Sequence, residues 1–530
     1  MFDYLIRNAM LVDGTGAPAE RGDLAIQGGK IAAVGCLPHA SAAQVLDARG
    51  MYLTPGFLDI HRHADDALFR PGFGRAELAQ GLTTIVNGNC GLSLAPVPAA
   101  RRPEIYGYLT PVTGLPAEEL PTQTMQAYLD AVGAAVLPLN VGMLVGGGTV
   151  RAAAAGFSPE PLDSGALHAV HRLIEQSLSG GALGVSLGLG YAPEIFYTTQ
   201  QLIDALAPLR ESGVPVTVHM RQEGAGVVEA LEEMMTAARA LRTPVHISHL
   251  KSIGKAYWGR YMPRMLEILT RAREEGLDVS CDLYPYTAGS TQLIHVLPPE
   301  SQDGGLAALT EKLREPAFRA RMRERMLTGT DFENLSLLVG WENIDVSTVA
   351  NEENRRFVGR SIAECAEEAH ADPFDFTFDL LASEHCTVTM IDRITSDADI
   401  CAALRAPFSS VISDATYPVS GLLHPRVYGT CTHLIEQYVC KRRVLTLEEA
   451  VKKLTSLPAG VLGLRGKGRL AAGMDADLCL FDAQALHETA TWQAPAQLSE
   501  GMRWVFVGGV PAIREGAFTS AANGRVLRRA

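Results

Sequence analysis

Polar side chains that bind metals follow several apolar segments of this sequence, at the point where each segment ends. They are His61 and His63 in LDIHRH, Cys90 in IVNGNCG, His219 in VTVHMR, His249 in HISHLKS and Asp414 in VISDATY. Imidazole and thiolate groups are ligands that zinc prefers, and metal-assisted hydrolysis also needs a carboxylate beside an open metal position. Together, these residue types predict a hydrolytic metal site.

Each of these residues also has an ordinary structural explanation. The H-x-H spacing places two side chains on one face of a strand, where they can share an ion or form a buried, hydrogen-bonded pair. A lone cysteine or histidine on an apolar strand is usually a core residue, and an aspartate after a strand often caps a turn. We favour the metal site because convergence on a divalent metal site explains all of them with one assumption. His246, three residues before His249, is assigned to packing.

The apolar segments alternate with stretches of helical pattern. The candidate strands lie within 53–63, 82–91, 139–148, 181–190, 214–224, 244–252, 277–286 and 409–417. Such alternation predicts parallel strands, and eight of them predict an α/β fold with a closed (β/α)8, TIM-like barrel over 54–465. The active site of such a barrel lies at the carboxyl ends of its strands, where the polar residues fall. The long gap before the last strand predicts an insert at about 290–405.

The two ends of the chain contain short candidate strands separated by glycine turns. Each end alone is too small to bury a core. Residues 1–53 and 466–530 are therefore predicted to pack together as one composite β-sandwich domain. Before the second segment, TLEEAVKKL predicts a helix with Thr446 as its N-cap and Glu449 as the capping-box partner.

Composition excludes several classes of protein. The 530 residues are 47% hydrophobic and 20% charged, which is a globular composition. The net charge of −13 disfavours partners such as nucleic acid and anionic membranes. The nine cysteines are scattered singly, without the C-x-x-C pairs typical of zinc ribbons. We find neither a signal peptide nor a long apolar run, and we expect a reducing, cytoplasmic setting.

A set of longer motifs indicates a family. In chain order they are PGFLDIHRHAD, TTIVNGNCGLSLAP, GVSLGLGYAP, VHMRQEG, ISHLKSIG, DLYPYTAGST, SDATYP and HPRVYGT. As a set, these segments resemble the N-acyl-D-amino-acid deacylases (D-aminoacylases) of the amidohydrolase superfamily. The resemblance implies zinc-dependent hydrolysis of the amide bond of a small N-acyl-D-amino acid, giving a carboxylate and a free D-amino acid. It leaves the oligomeric state open.

The resemblance also implies roles for individual residues. Cys90, His219 and His249 would hold one tight zinc ion, His61 and His63 would belong to a second, weaker metal position, and Asp414 would be the catalytic acid/base. The implied substrate contacts are Lys251, Arg426, Tyr191, Tyr284 and Ser290. Lys251 follows His249 by two residues and so shares its face of the strand, and both Lys251 and Arg426 are expected to meet the substrate carboxylate.

Two other functions stay open at this point. One is hydrolysis of a different C–N bond, such as a cyclic amide in the manner of hydantoinase or dihydroorotase, and the other is metal binding without catalysis. The fourth strand, GVSLGLG, lacks the lysine that many superfamily relatives carboxylate, which weighs against the first. The presence of Asp414 with a full ligand set weighs against the second. The preferred side chain and acyl group, and the choice of one or two zinc ions, are not fixed by the sequence.

Overall fold

The computed structural model describes residues 1–529 of the 530-residue chain. Its strands are β1 (Phe2–Leu11), β2 (Glu20–Gln27), β3 (Lys30–Gly35), β4 (Ala42–Asp47), β5 (Tyr52–Pro55), β6 (Phe57–Asp59), β7 (Leu82–Asn87), β8 (Asn140–Met143), β9 (Val145–Gly146), β10 (Val185–Gly188), β11 (Val216–His219), β12 (Val245–Ile247), β13 (Val279–Leu283), β14 (Ala288–Gln292), β15 (Ile344–Thr348), β16 (Thr389–Arg393), β17 (Ser409–Val411), β18 (Leu478–Phe481), β19 (Met502–Val507), β20 (Val510–Arg514) and β21 (Ala517–Phe518).

The α-helices are α1 (Arg75–Ala79), α2 (Arg102–Thr113), α3 (Met125–Ala134), α4 (Gly147–Ala155), α5 (Ser164–Ser179), α6 (Thr199–Ala205), α7 (Val227–Leu241), α8 (Tyr261–Glu274), α9 (Gly305–Lys312), α10 (Pro316–Thr328), α11 (Leu335–Leu338), α12 (Ile362–Glu368), α13 (Pro373–Ser383), α14 (Asp397–Arg405), α15 (Arg426–His433), α16 (Leu447–Leu454) and α17 (Ser456–Val461). A π-helix at Leu434–Lys441 continues α15. Short 3-10 helices lie at Ala67–Phe69, Ala99–Arg101, Glu194–Phe196, Ala207–Leu209, Leu293–Val296, Pro299–Gln302, Trp341–Asn343 and Glu352–Phe357.

Parallel strands form a closed barrel in the middle of the chain. One arc has the order β6-β7-β8 and the other the order β9-β10-β11-β12-β13-β17. β8 pairs with β7 while β9, one residue later, pairs with β10, so these two short strands share one position in the barrel. After β6 and β17, Asp414 N–H donates to the carbonyl of His61 and His63 N–H to that of Ala415, which closes the ring. This confirms the predicted (β/α)8 barrel.

Sequence pattern accounts for the layers around the barrel. β7, β10 and β11 are buried throughout, as expected for strands covered on both faces. Helix α8 buries Met262, Met265, Ile268 and Leu269, whose three- and four-residue spacing makes one apolar stripe. The predicted cap of α16 is confirmed: Thr446 accepts a hydrogen bond from Glu449 N–H, and Glu449 accepts one from Thr446 N–H.

The two ends of the chain meet in one sheet. Its order is β21-β20-β19-β18-β5-β1-β2-β3, with β4 paired to β1. The antiparallel pair of β5 with β18 joins the amino-terminal strands to the carboxyl-terminal ones. The core beneath it contains Ile6, Leu24, Leu478 and Phe506 from both ends. These contacts support the predicted composite domain of 1–53 and 466–530.

A separate small sheet lies between β13 and β17. It has the antiparallel order β14-β16-β15 and is accompanied by α9 to α13. The following helix, α14, packs on α8 and β17, so it belongs to the helical layer of the barrel. We refer to residues 288–395 as the insert. No helix within residues 1–529 is long and apolar enough to cross a membrane.

Candidate active site

The two histidines of H-x-H lie just beyond β6 and are fully buried. As the alternation of a strand predicts, Arg62 between them faces the other way. Its guanidinium is completely buried and pairs with Asp59 at 3.1 Å and Glu77 at 2.8 Å. These two carboxylates compensate the charge of Arg62 outside the site. His61 and His63 are left to face the mouth of the barrel.

Cys90 follows β7 and is the centre of the cluster. Its Sγ lies 3.2 Å from Nε2 of His61 and 3.4 Å from Nε2 of His249. Nδ1 of His219 lies 3.1 Å from the same Nε2 of His249. The thiol therefore lies between the histidines of β6 on one side and those of β11 and β12 on the other.

Asp414 completes the ring from the end of β17. Its Oδ1 lies 3.4 Å from Nε2 of His61 and 3.3 Å from Nε2 of His63, and its Oδ2 lies 3.0 Å from Nη1 of Arg426. Burial opposes the charge of Asp414, but Arg426 and the nearby histidines outweigh it and hold the pKa of the carboxyl well below its usual range. Asp414 is thus an ionised acceptor at neutral pH.

Three of these residues have a backbone conformation that L-amino acids rarely adopt. The φ angles are 53° at Cys90, 39° at His249 and 52° at Asp414. Each lies in the left-handed region, which costs a non-glycine residue about 1–3 kcal/mol and is concentrated at functional sites. The positive φ follows the end of a barrel strand in all three cases. The fold thus sustains local strain where it turns these side chains towards one another.

The donor set suits a divalent metal ion. His61, His63, Cys90 and Asp414 form one group, and Cys90, His219 and His249 form a second, with the candidate ligand atoms of each group within 4.8 Å of one another. Imidazole nitrogens that face each other and a thiol need a shared partner, and mixed nitrogen and sulfur donors favour zinc. Because Cys90 belongs to both groups, its thiol would lie between two adjacent metal positions.

Burial keeps the histidine donors neutral and the thiol of Cys90 protonated when no metal is bound. Burial lowers the pKa of His219 to about 3 and that of His61 well below its ordinary value, so both imidazoles are neutral and have a lone pair to donate. Burial raises the pKa of the Cys90 thiol, with further contributions from nearby carboxylates. A coordinating metal would release that proton, because thiols that bind metals are deprotonated.

Four of the five predicted substrate contacts line the same cavity. Lys251, Tyr284 and Ser290 line it together with His63, Cys90, His219, His249 and Asp414. Tyr191 also lines it, with its ring between those of His219 and His295 at 4.3 Å from each. Lys251 Nζ lies 5.8 Å from the centre of the Tyr284 ring.

Comparison with known proteins agrees with this geometry. Residues 44–513 match the model of the amidohydrolase family. The chain is 33% identical to a D-aminoacylase of Alcaligenes xylosoxydans xylosoxydans over 528 residues, which cover 100% of this chain and 98% of that one. The chain belongs to the amidohydrolase family.

Two further relatives of this amidohydrolase are named for acidic substrates. It is 33% identical to an N-acyl-D-aspartate deacylase of the same organism, over 96% of this chain and 91% of that one. It superposes with a TM-score of 0.84 and 29% identity on an N-acyl-D-glutamate deacylase from Bordetella bronchiseptica, solved with zinc and a phosphonate mimic of the tetrahedral intermediate, with 100% of both chains covered.

Arg426, the other predicted carboxylate contact, lies directly against Asp414. It is completely buried, pairs with Asp414, stacks over the Tyr284 ring at 4.7 Å and donates to the carbonyl of Ser290 at 3.2 Å. Its contact with Asp414 is direct, whereas it does not line the cavity. The structure thus pairs Arg426 with Asp414, and the cavity wall itself contains the cationic side chains of Lys251 and Arg221.

Glu223 is a site residue that the sequence analysis missed. It follows His219 by four residues, and its carboxylate accepts hydrogen bonds from Lys251 Nζ at 2.7 Å for each oxygen. Its Oε1 also lies 3.0 Å from Nδ1 of His249, and its Oε2 lies 3.8 Å from Nε2 of His219. Burial opposes its charge, but Lys251 and the two histidines hold its pKa below the usual range. Glu223 is thus an anion beside Nδ1 of His249 and Nε2 of His219.

The carboxylate of Glu223, beside Nδ1 of His249, fixes the tautomer of that histidine. Lys251 Nζ lies 2.7 Å from the same Nδ1, so Nδ1 can either accept from lysine or donate to Glu223. Only the second arrangement leaves a lone pair on Nε2, which faces Cys90. A carboxylate that accepts the outer N–H of a ligating histidine is a recurrent feature of metal sites. Glu223 is therefore a positioning residue for His249, a candidate metal ligand.

Replacing Glu223 should weaken metal binding. Glu223→Gln keeps the size of the side chain but removes the charge that favours Nδ1–H, so we expect zinc affinity to fall by about 10–100-fold. Competition with a chelator of known affinity measures this loss. Glu229→Gln, on the exposed side of α7, is the matched control and should bind as wild type does. Unchanged affinity in Glu223→Gln would contradict the assignment.

Proposed function

We propose that this amidohydrolase hydrolyses the amide bond of N-acyl-D-amino acids with the help of bound zinc. The observation that carries the proposal is the meeting of six side chains from five strand ends at one mouth of the barrel. They are His61, His63, Cys90, His219, His249 and Asp414. The relatives named above support the substrate class. We also propose a reducing, cytoplasmic setting, in which the thiol of Cys90 stays unoxidised.

The metal position shared by Cys90, His219 and His249 is the proposed tight site. A bound zinc ion supplies the Lewis acid that polarises the acyl carbonyl and activates water. His61 and His63 lie on the other side of Cys90 and suit a second position, with Asp414 between them. We propose that this second position is the weaker one, because Asp414 already forms an ion pair with Arg426.

Asp414 is the proposed acid/base. Ionised and held beside the metal ligands, it can orient a water molecule and accept its proton during attack on the acyl carbon. It can then pass that proton to the departing nitrogen, because an amide nitrogen is a poor leaving group until it is protonated. Arg426 keeps the carboxylate oriented through Oδ2, which leaves Oδ1 towards the ligands. These steps give a carboxylate and a free amine.

Lys251 is the proposed partner of the substrate carboxylate. It lines the cavity beside Tyr284 and Ser290, and its ammonium, although paired with Glu223, has a further donor free for a ligand. The cyclic-amide alternative lacks support at the fourth strand: β10 and the three residues after it, Leu189, Gly190 and Tyr191, contain no lysine for carboxylation.

A substrate panel tests the proposal. Zinc-loaded protein is assayed for amine release from N-acetyl-D- and N-acetyl-L-amino acids with acidic, basic, aromatic and aliphatic side chains, and from a hydantoin. We expect turnover of the D series alone. Turnover of the hydantoin in place of the acyl amino acids would favour the cyclic-amide alternative, and bound zinc without any turnover would favour a non-catalytic relative.

The role of Lys251 has its own test. Lys251→Ala should lower kcat/KM for an N-acetyl-D-amino acid by about 10–100-fold, since a hydrogen bond to a charged group is lost. The same variant should lose much less on the neutral carboxamide of that substrate. Lys255→Ala, an exposed lysine four residues on, is the control. Equal losses on both substrates would mean that Lys251 does not bind the carboxylate.

A further inference from the structure

We propose that the cavity selects N-acyl-D-amino acids whose side chain ends in a cation, and that Glu333 of the insert is the residue that recognises it. This inference rests on the proposed function and adds the substrate side chain to it. The relatives named for D-aspartate and D-glutamate match this chain to similar degrees, at 33% and 29% identity. Overall similarity therefore does not identify the preferred side chain of the substrate. The residues that line the cavity are more informative, because they would contact that side chain.

Glu333 reaches the cavity from the insert, in the turn between α10 and α11. Its Oε2 accepts a hydrogen bond from the backbone N–H of Glu223, and it lines the same cavity as Cys90 and Lys251. The approach is close because residue 224 is glycine: a Cβ there would lie 2.7 Å from Oε1 of Glu333. The insert thus places a carboxyl group beside the loop that follows β11, the strand that ends at the proposed metal ligand His219.

The second oxygen of this carboxylate has no partner among the described residues. Oε1 of Glu333 is buried and makes no hydrogen bond within residues 1–529. The two nearby cationic side chains form ion pairs with other residues: Lys251 pairs with Glu223 at 2.7 Å and Arg221 pairs with Glu233 at 2.9 Å. Burial raises the pKa of Glu333 to about 8. A buried carboxyl oxygen without a hydrogen-bond partner is costly, and a donor on the ligand would remove that cost.

A second acidic side chain in the cavity wall, Asp392, also has a buried oxygen without a hydrogen-bond partner. Asp392 of β16 is 3% exposed, and its Oδ1 makes no hydrogen bond within the described part of the chain. Burial raises its pKa to about 6, although Lys251 and Arg426 lower it. Two acidic groups therefore face one cavity, and neither forms an ion pair with a residue of 1–529.

The rest of the wall suits a long aliphatic stem. Ile195, Ile253, Phe332 and Leu335 line the same cavity as Glu333. Apolar walls accommodate the methylene groups of a lysine-like side chain while its charged end reaches a polar partner. An acidic side chain would instead place a carboxylate against the two carboxyl groups of Glu333 and Asp392, and a plain aliphatic one would leave Oε1 unpaired. The geometry points to a terminal ammonium or guanidinium group.

Three matched substrates test the inference. They are Nα-acetyl-D-lysine, Nα-acetyl-D-norleucine, which has the same stem without the ammonium, and N-acetyl-D-glutamate. For the zinc-loaded wild-type protein we expect kcat/KM to be highest for the lysine substrate, by about tenfold or more over norleucine. Glu333→Gln should lower kcat/KM for the lysine substrate by about 10–100-fold, with a loss for norleucine at least about tenfold smaller.

The control variant is Glu324→Gln, an exposed glutamate of α10, which should leave all three values unchanged. A preference of the wild-type protein for norleucine or glutamate would overturn the inference, and so would equal losses on lysine and norleucine in Glu333→Gln. Turnover of norleucine in each variant verifies that the active site is intact. If zinc-loaded protein hydrolyses none of the three, the proposed function itself fails.

Discussion

Asp414→Asn should lower kcat by about 10²–10⁴-fold or more while the protein keeps its fold and its bound zinc. Asparagine has the same shape as aspartate but cannot accept the proton of an attacking water. Asp414 is well placed for that task, because its Oδ1 faces His61 and His63 while its Oδ2 is held by Arg426. The expected loss is therefore one of turnover, not of binding.

The measurement is kcat on an N-acetyl-D-amino acid, with the zinc content of each sample determined alongside. Asp204→Asn, an exposed residue of α6, is the control and should behave as wild type. Wild-type turnover in Asp414→Asn would show that another group moves the proton.

Cys90→Ala should remove the bound metal and, with it, the activity. Both candidate ligand groups include Cys90, so one substitution affects the two metal positions at once. At the proposed tight position, His219 and His249 then give only two of the three or four protein ligands that zinc sites use. We therefore expect zinc content to fall from about one ion per chain or more towards zero at equal protein concentration.

The same experiment separates metal loss from unfolding. Cys90 is a small side chain in a large core, so its change to alanine should leave the thermal transition of the apoprotein close to that of wild-type apoprotein. Cys36→Ala removes an exposed thiol and should change neither metal content nor turnover. Retention of full zinc content by Cys90→Ala would contradict the assignment of the cysteine as the shared ligand.

The barrel could be predicted from the sequence because its signal is local. Each strand is a short apolar segment, and the polar residue that ends it marks the catalytic face, as with His219 at the end of β11 and Asp414 after β17. The split of the third position into β8 and β9 could not be predicted in this way. It depends on which neighbour each short segment pairs with, and this is a property of the closed ring.

The partners of the site residues were harder to predict. Glu223 lies four residues after His219 in VHMRQEG, and this spacing is a signal that could have indicated a carboxylate partner. Glu333 and Asp392 offer no such signal, because the insert brings them to the cavity through tertiary packing. The contact of Arg426 with Asp414 follows from the start of α15, which sequence spacing does not fix.

Diffraction at the zinc absorption edge, from crystals of the zinc-loaded protein, tests the central claim most directly. We predict an anomalous peak among Cys90 Sγ, His219 Nδ1 and His249 Nε2, whose mutual approach to within 4.8 Å marks one position for an ion. Density for the metal elsewhere, or a protein that hydrolyses its substrate with no metal between these three atoms, would contradict the account.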